Sequence, residues 1–171
     1  AEYLWRAEDY RLLIQGLRAH ASRDAGDLDA AAMAMAARAA GLGTRFRAQD
    51  RDDDLVALAE AALHQASYAW TEGRLDEARR FLEGGLAHLD TLNARTGSQT
   101  SPLHRRLLLA CARLHLDGGV PLARFRRDLV AEIQRTHRFL TSHPAATTAQ
   151  DRFLLGGVLT LLDTAVVART P

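Results

Sequence analysis

Lysine is absent from this chain; all 22 basic residues are arginine. A GC-rich genome accounts for that more simply than selection for the planar, bidentate contacts of guanidinium. Cysteine occurs once, at Cys111, so no disulfide framework can form within the chain and nothing argues for an oxidising compartment. Aromatic residues make up 6% and β-branched residues are sparse, which leaves little of what strands favour. No apolar run approaches the roughly 18–20 residues that a membrane span needs. The N-terminal stretch AEYLWRAEDYR is charged from its second residue and has no secretory-leader pattern. An initiator Met is missing, as expected of a processed protein or a piece of a longer one.

Catalytic signatures are missing too. There is no phosphate-binding glycine loop, no Gly-x-Ser-x-Gly and no dinucleotide fingerprint. Glu60 and His64 stand four apart, whereas di-iron bundles use Glu-x-x-His twice, and the chain has no such motif. These absences point away from an enzyme, and no cofactor is expected.

Turning to what is present, 171 residues with 47% apolar content suffice for one domain with a core and exclude a disordered chain. Ala, Leu and Arg dominate, a mix that favours helix. Charge is uneven along the chain. From Arg51 to Leu92 nine carboxylates face four arginines, a net −5; from Pro102 to His143 eight arginines face three carboxylates, a net +5. Docking between segments, or head-to-tail association, would use that polarity.

The apolar periodicity predicts an all-α fold of about seven helices. The first covers about Glu2 to Ser22, with Tyr3, Leu4, Tyr10, Leu13, Ile14 and Leu17 as a stripe at helical spacing. The second starts after Asp27 and ends at Gly41-Leu42-Gly43, read as a C-cap, before a polar loop TRFRAQDR. The third opens on Asp52-Asp53-Asp54, carboxylates suited to the positive end of a helix dipole, and runs to Gly73. Capping outweighs metal binding for that triplet. The fourth runs from Asp76 to about Ala94, and RTGSQTS is the most loop-like stretch. Pro102 opens the fifth in a first-turn position. A sixth covers about Pro121 to Leu140, SHPAATTAQ is a loop, and a seventh covers about Asp151 to Ala168.

Three stretches share a signature: GDLDAA at Gly26–Ala31, GRLDEA at Gly73–Ala78 and GGVPLA at Gly118–Ala123. Each glycine is followed by an aliphatic residue at +2 and Ala at +5. A small residue, Ala19, Ala66 or Cys111, lies seven before it. The glycines are spaced by 47 and 45 residues, the mark of a repeat. A glycine can end one helix in a left-handed turn, and small residues at −7 and +5 let the next helix pack closely against the first. One such pair cannot bury its apolar face alone, whereas stacked pairs can.

This pattern resembles the tetratricopeptide (TPR) family, most closely in AWTEGRLDEARRFLEGGLAHLD at Gly73, Leu75 and Ala78. The period is longer than the roughly 34 residues of the consensus. At −8, usually a large aliphatic, stand Arg18, Gln65 and Ala110; the +9 core position holds Met35, Leu82 and then Arg127. The longer repeats in sensor regions of bacterial transcription regulators look similar. The resemblance implies a single domain over 1–171, with pairs at about 2–42, 51–94 and 102–140 and a capping helix at about 151–168. An ordinary helical bundle is the alternative architecture.

Seven histidines invite a metal reading. His104, Leu108, Cys111 and His115 share one helix face, and Cys111 and His115 stand four apart with His104 further back, but two ligands do not make a zinc site, and a buried inert thiol is the simpler account of Cys111. Gly84-Gly85 and Gly156-Gly157 lie inside helical patterns, where close helix contact is expected rather than a ligand loop. Arg105, Arg106, Arg113, Arg124, Arg126, Arg127, Arg135 and Arg138 gather on the fifth and sixth helices. Without a helix-turn-helix pattern, a solvated face or a dock for an acidic partner outweighs nucleic acid. Tyr68, Trp70 and Phe81 flank the second turn, and Tyr3, Trp5 and Tyr10 sit on the first helix; core packing is their usual role, and an anchoring groove the sharper one.

The resemblance and the residues together imply a cytoplasmic, non-enzymatic, regulatory helical-repeat domain that holds a protein or peptide partner, an acidic one or a second copy of itself. Tyr68, Trp70, His64, Arg105 and Arg113 are the expected partner-binding residues. The alternative is a small-molecule-binding sensor domain of a bacterial transcription regulator. No metal and no membrane contact are expected.

Overall fold

The computed structural model describes residues 2–97 and 101–117, together with the single positions 134, 138, 142 and 156. All five elements among the described residues are helices: α1 (Glu2–Asp24), α2 (Leu28–Gln49), α3 (Asp52–Thr71), α4 (Leu75–Thr96) and α5 (Pro102–Asp117). By its contacts the chain divides into two compact units, 1–98 and 99–171. The third hairpin glycine, Gly118, and the expected sixth and seventh helices lie outside the described residues apart from Gln134, Arg138, Ser142 and Gly156, which are helical. Ser142 lies in the stretch expected to be a loop; its hydroxyl donates to the Arg138 carbonyl one turn back, at 2.8 Å. No helix among the described residues is long and apolar enough to cross a membrane.

In the first unit α1 packs on α2, α2 on α3 and α3 on α4. Two turns of one design make the hairpins. Gly26 and Gly73 have φ of 82° and 75°, a region that a Cβ disfavours. Gly26 N–H donates to the Arg23 carbonyl (2.9 Å) and Asp27 N–H to Ser22 (2.8 Å). At the second turn Gly73 N–H donates to Trp70 (2.9 Å) and Arg74 N–H to Ala69 (2.8 Å). This pair of crossed bonds is the Schellman closure, which satisfies carbonyls that a helix end leaves unpaired. The following helices start differently. The Asp27 carboxylate accepts from Ala30 N–H at 3.0 Å, whereas Arg74 offers no side-chain cap and instead pairs with Glu72 and Glu77.

Packing repeats with the turns. At −7, +5 and +9 from each glycine stand Ala19, Ala31 and Met35 in one hairpin and Ala66, Ala78 and Leu82 in the other, all at most 1% exposed. Small residues at the first two positions bring the helices together, and burial of Met35 and Leu82 contributes about 2 kcal/mol each. The +2 residues diverge. Leu28 packs against the core, whereas Leu75 is exposed.

The second helix does not stop at Gly41-Leu42-Gly43. It continues through TRFRAQ to Gln49 and ends at Asp50, whose φ of 51° is left-handed and whose N–H donates to the Phe46 carbonyl at 2.7 Å. Gly41 serves close approach instead of capping: a Cβ there would stand 2.6 Å from Leu12 Cδ2 of α1. Leu12, Leu42 and Leu58 form a buried cluster across α1, α2 and α3. Gly84, expected at a close helix contact, has open space where a Cβ would stand, as does Gly156; Gly85 is buried. In the second unit Pro102 does open α5, and the Ser101 hydroxyl caps it by accepting from His104 N–H at 3.2 Å.

Candidate functional site

Three features of the first unit carry chemistry. The first is a polar cluster where α1, α2 and α3 meet. His20 of α1 and His64 of α3 approach edge to face, with ring centroids 5.0 Å apart. Arg38 of α2 comes in beneath Gly16 of α1; a Cβ on that glycine would lie 2.9 Å from the guanidinium, which would have to shift to make room. Tyr68 follows His64 by one turn of α3 and is 2% exposed. Its hydroxyl has no hydrogen-bond partner, and neither has the buried Nε of Arg38. Burial pushes the His64 imidazole down to about 4, helped by the positive charges of His20, Arg23 and Arg38. Burial raises the Tyr68 phenol, with Arg23 pulling it down and Asp24 pushing it up. Arg23 is bound to Asp24 by two hydrogen bonds, at 2.8 and 3.1 Å.

The second feature is a buried ion pair. Asp54 is fully buried, and Arg45 Nε donates to its Oδ1 at 2.9 Å. Arg45 also reaches Asp9, so one guanidinium ties α1, α2 and α3 together. The bond to Asp54 raises the Arg45 guanidinium further, against the opposing effect of burial. The Asp52–Asp54 triplet is thus divided in its work. Asp54 is a core residue, Asp53 is exposed, and Asp52 meets Arg95 at 3.4 Å, with Asp50 accepting from the same Arg95 at 2.8 Å. None of the three caps α3 in the expected way, because Arg51 holds the capping position without a side-chain bond.

The third feature is an exposed apolar stripe. Tyr10, Leu13, Ile14 and Leu17 of α1 are 64, 54, 47 and 59% exposed. Their spacing is the one read as a helical stripe, but Leu12, Gly16 and Ala19 make the buried seam, on the opposite side of α1. The side chains of Tyr3, Leu4 and Trp5 lie outside the described residues.

Of the expected binding residues, the structure brings His64 and Tyr68 together. Trp70 lies two residues further along α3, half-buried and away from that face. Arg105 and Arg113 belong to α5 in the second unit, both half-buried. Sequence reasoning missed His20, Arg38, Gly16, Arg45 and Asp54. Gly16 was detectable, being four from Leu12 and three from Ala19. Asp54 stands four before Leu58, on the apolar line of α3. Arg38 and Arg45 carry no local signal, since their partners lie on other helices. Cys111 is buried and, as the single cysteine, forms no disulfide within the chain. Among the described residues no three His, Cys, Asp or Glu side chains gather as metal ligands would.

Compared with known proteins, the chain matches no family model, no curated protein and no solved structure.

Proposed function

We propose that this chain is a non-enzymatic, TPR-like array of helical hairpins, three pairs and a capping helix, that holds an acidic, amphipathic protein or peptide segment. The observation that carries the reading is the α1 stripe. Four large apolar side chains at i, i+3, i+4 and i+7 face water in the manner of a helix awaiting a partner. Arg11 and Arg18, both exposed, border it three residues before and four after Ile14. That edge favours a segment with acidic flanks. The repeated Gly26 and Gly73 turns and their matching buried positions support the repeat architecture.

Selection of a random peptide library against the chain tests the proposal. Enriched peptides should be amphipathic and rich in Asp or Glu, and Leu13→Glu should weaken them at least about tenfold. Peptides indifferent to Leu13→Glu would sink it. So would a wild-type dimer that Leu13→Glu converts to monomer, because the occupant would then be a second copy.

A second reading, a small-molecule sensor domain, is favoured by two buried donors of the first unit that lack partners, Arg38 Nε and the Tyr68 hydroxyl.

A further inference from the structure

The outer side of α1 has a period of its own. Ala7, Tyr10, Ile14, Leu17 and Ala21 are all exposed, and they stand three, four, three and four residues apart. That is the spacing of a coiled-coil seam, with Ala7, Ile14 and Ala21 at heptad position a and Tyr10 and Leu17 at d. At 1.5 Å per residue the seam runs about 21 Å along the helix, or about four turns. Packing against α2 uses the other side of α1. Leu12 and Ala19, which join the buried clusters, fall at f, and Gly16 falls at c. The helix therefore presents one seam to its own hairpin and a second to water. The two flanks of the outer seam are unlike. Arg11 and Arg18, both exposed, occupy consecutive e positions, whereas Leu13 and the half-buried His20 occupy g. Arg11 meets Glu8 at 3.5 Å, but Glu8 lies at b, off the seam.

We infer that the segment held on this face is itself an α-helix, pairing with α1 as a two-stranded coiled coil and carrying carboxylates seven residues apart on the flank that meets Arg11 and Arg18. The inference rests on the proposed role of the stripe as a docking face and names its occupant. An extended strand presents side chains at period two and does not follow a seam of period 3.5 over four turns. Charge complementarity selects the partner. Residues at e pair with g of a parallel helix or with e of an antiparallel one, so both arrangements call for acids opposite the arginines. A second copy of this chain offers none. In parallel its Leu13 would face Arg18, and in antiparallel order arginine would face arginine. The exposed seam therefore favours an acidic helix of another protein over self-association.

The test is a binding titration of the full chain with a labelled synthetic peptide of about four heptads, with Ile at a, Leu at d and Glu at every e and g. Repulsion between its glutamates keeps this probe unpaired and poorly helical at neutral pH, so a gain of helix on mixing reports docking. Two further probes carry the same residues in alternating apolar and acidic order, or Lys in place of Glu. The Glu heptad peptide should bind and gain helix, and the double variant Arg11→Glu, Arg18→Glu should weaken it at least about tenfold. The Lys peptide should show the opposite order, binding the double variant more tightly than wild type, an exchange that a damaged fold would not produce. Leu17→Asn, which removes an apolar seam residue without changing charge, should weaken both pairings. Equal binding of the alternating peptide, no gain of helix, or affinities indifferent to the charge exchange would overturn the helical partner. If binding still responded to Leu17→Asn in those cases, the docking face would stand with a different occupant. If no peptide responded to Leu17→Asn, the face and its helix would fall together.

Discussion

A carboxylate at the start of a helix is usually a surface residue, and Asp54 is not. It sits fully buried on the Arg45 guanidinium, which also holds Asp9. Removing one member of a buried pair leaves the other charge uncompensated. Asp54→Ala should therefore lower unfolding free energy by about 3 kcal/mol, the lower end of the usual range because Asp9 remains. Asp54→Asn should cost less, since it keeps the oxygen that accepts from Arg45. Urea denaturation measures both, and a loss for Asp54→Ala within ~0.5 kcal/mol, as at a surface site, would refute the buried pair. The triplet suggested dipole chemistry because its local context is a helix start; Arg45, nine residues away in sequence, determines the role of one member. His64 gives the same lesson, since its partners His20 and Arg38 come from two other helices.

Turns and caps show where local chemistry suffices and where it fails. The Gly26 and Gly73 turns were legible because a left-handed helix end is a property of a few consecutive residues. At Gly73 a Cβ would touch nothing within 4 Å, so a side chain there is opposed by backbone conformation alone. Gly73→Val should cost at least about 1 kcal/mol in equilibrium denaturation, with Gly73→Asn milder. Gly26→Val should behave alike, because the turn is the same. Equal stability of Gly73→Val and wild type would contradict the left-handed turn. Gly41-Leu42-Gly43 does not stop α2, for a tertiary reason. Leu12 packs onto the bare Cα of Gly41, and Leu42 is buried, so packing carries the helix over two poor helix formers. The stripe on α1 has the right period and the opposite exposure. Periodicity identifies an apolar face without saying whether anything covers it.

Stability is a property of the whole molecule, and its pH dependence gathers the half-buried imidazoles of His64 and His88. His64 titrates near 4 when folded and near its ordinary 6.5 when unfolded; burial lowers His88 too. The unfolded chain therefore binds more protons between these values. The neutral His64 imidazole contributes full stability above about pH 6.5, and the contribution is lost as pH falls toward 4. Denaturation curves from pH 8 down to 4 should show a smaller loss in His64→Gln than in wild type. Identical slopes would mean that folding does not lower the proton affinity of His64. Exposed ion pairs such as Arg79–Asp76 and Arg95–Asp50 add little to this curve, because water and salt screen them.

The helical class, the hairpin turns at Gly26 and Gly73, the small residues that face each other across them and the Pro102 start of α5 were all determined by the sequence itself. Each depends on residues near one another along the chain, no further apart than Ala19 and Ala31 across one turn, where backbone sterics and apolar spacing act directly. Tertiary structure decided the rest: that α2 runs on to Gln49, that Asp54 is interior, that Arg38 rests on Gly16 beside His64, and that Tyr10, Leu13, Ile14 and Leu17 face water. Those outcomes depend on which helix lies against which. The contacts join residues on different helices, and their energies, from close packing and desolvation of charge, exist only once the helices have met.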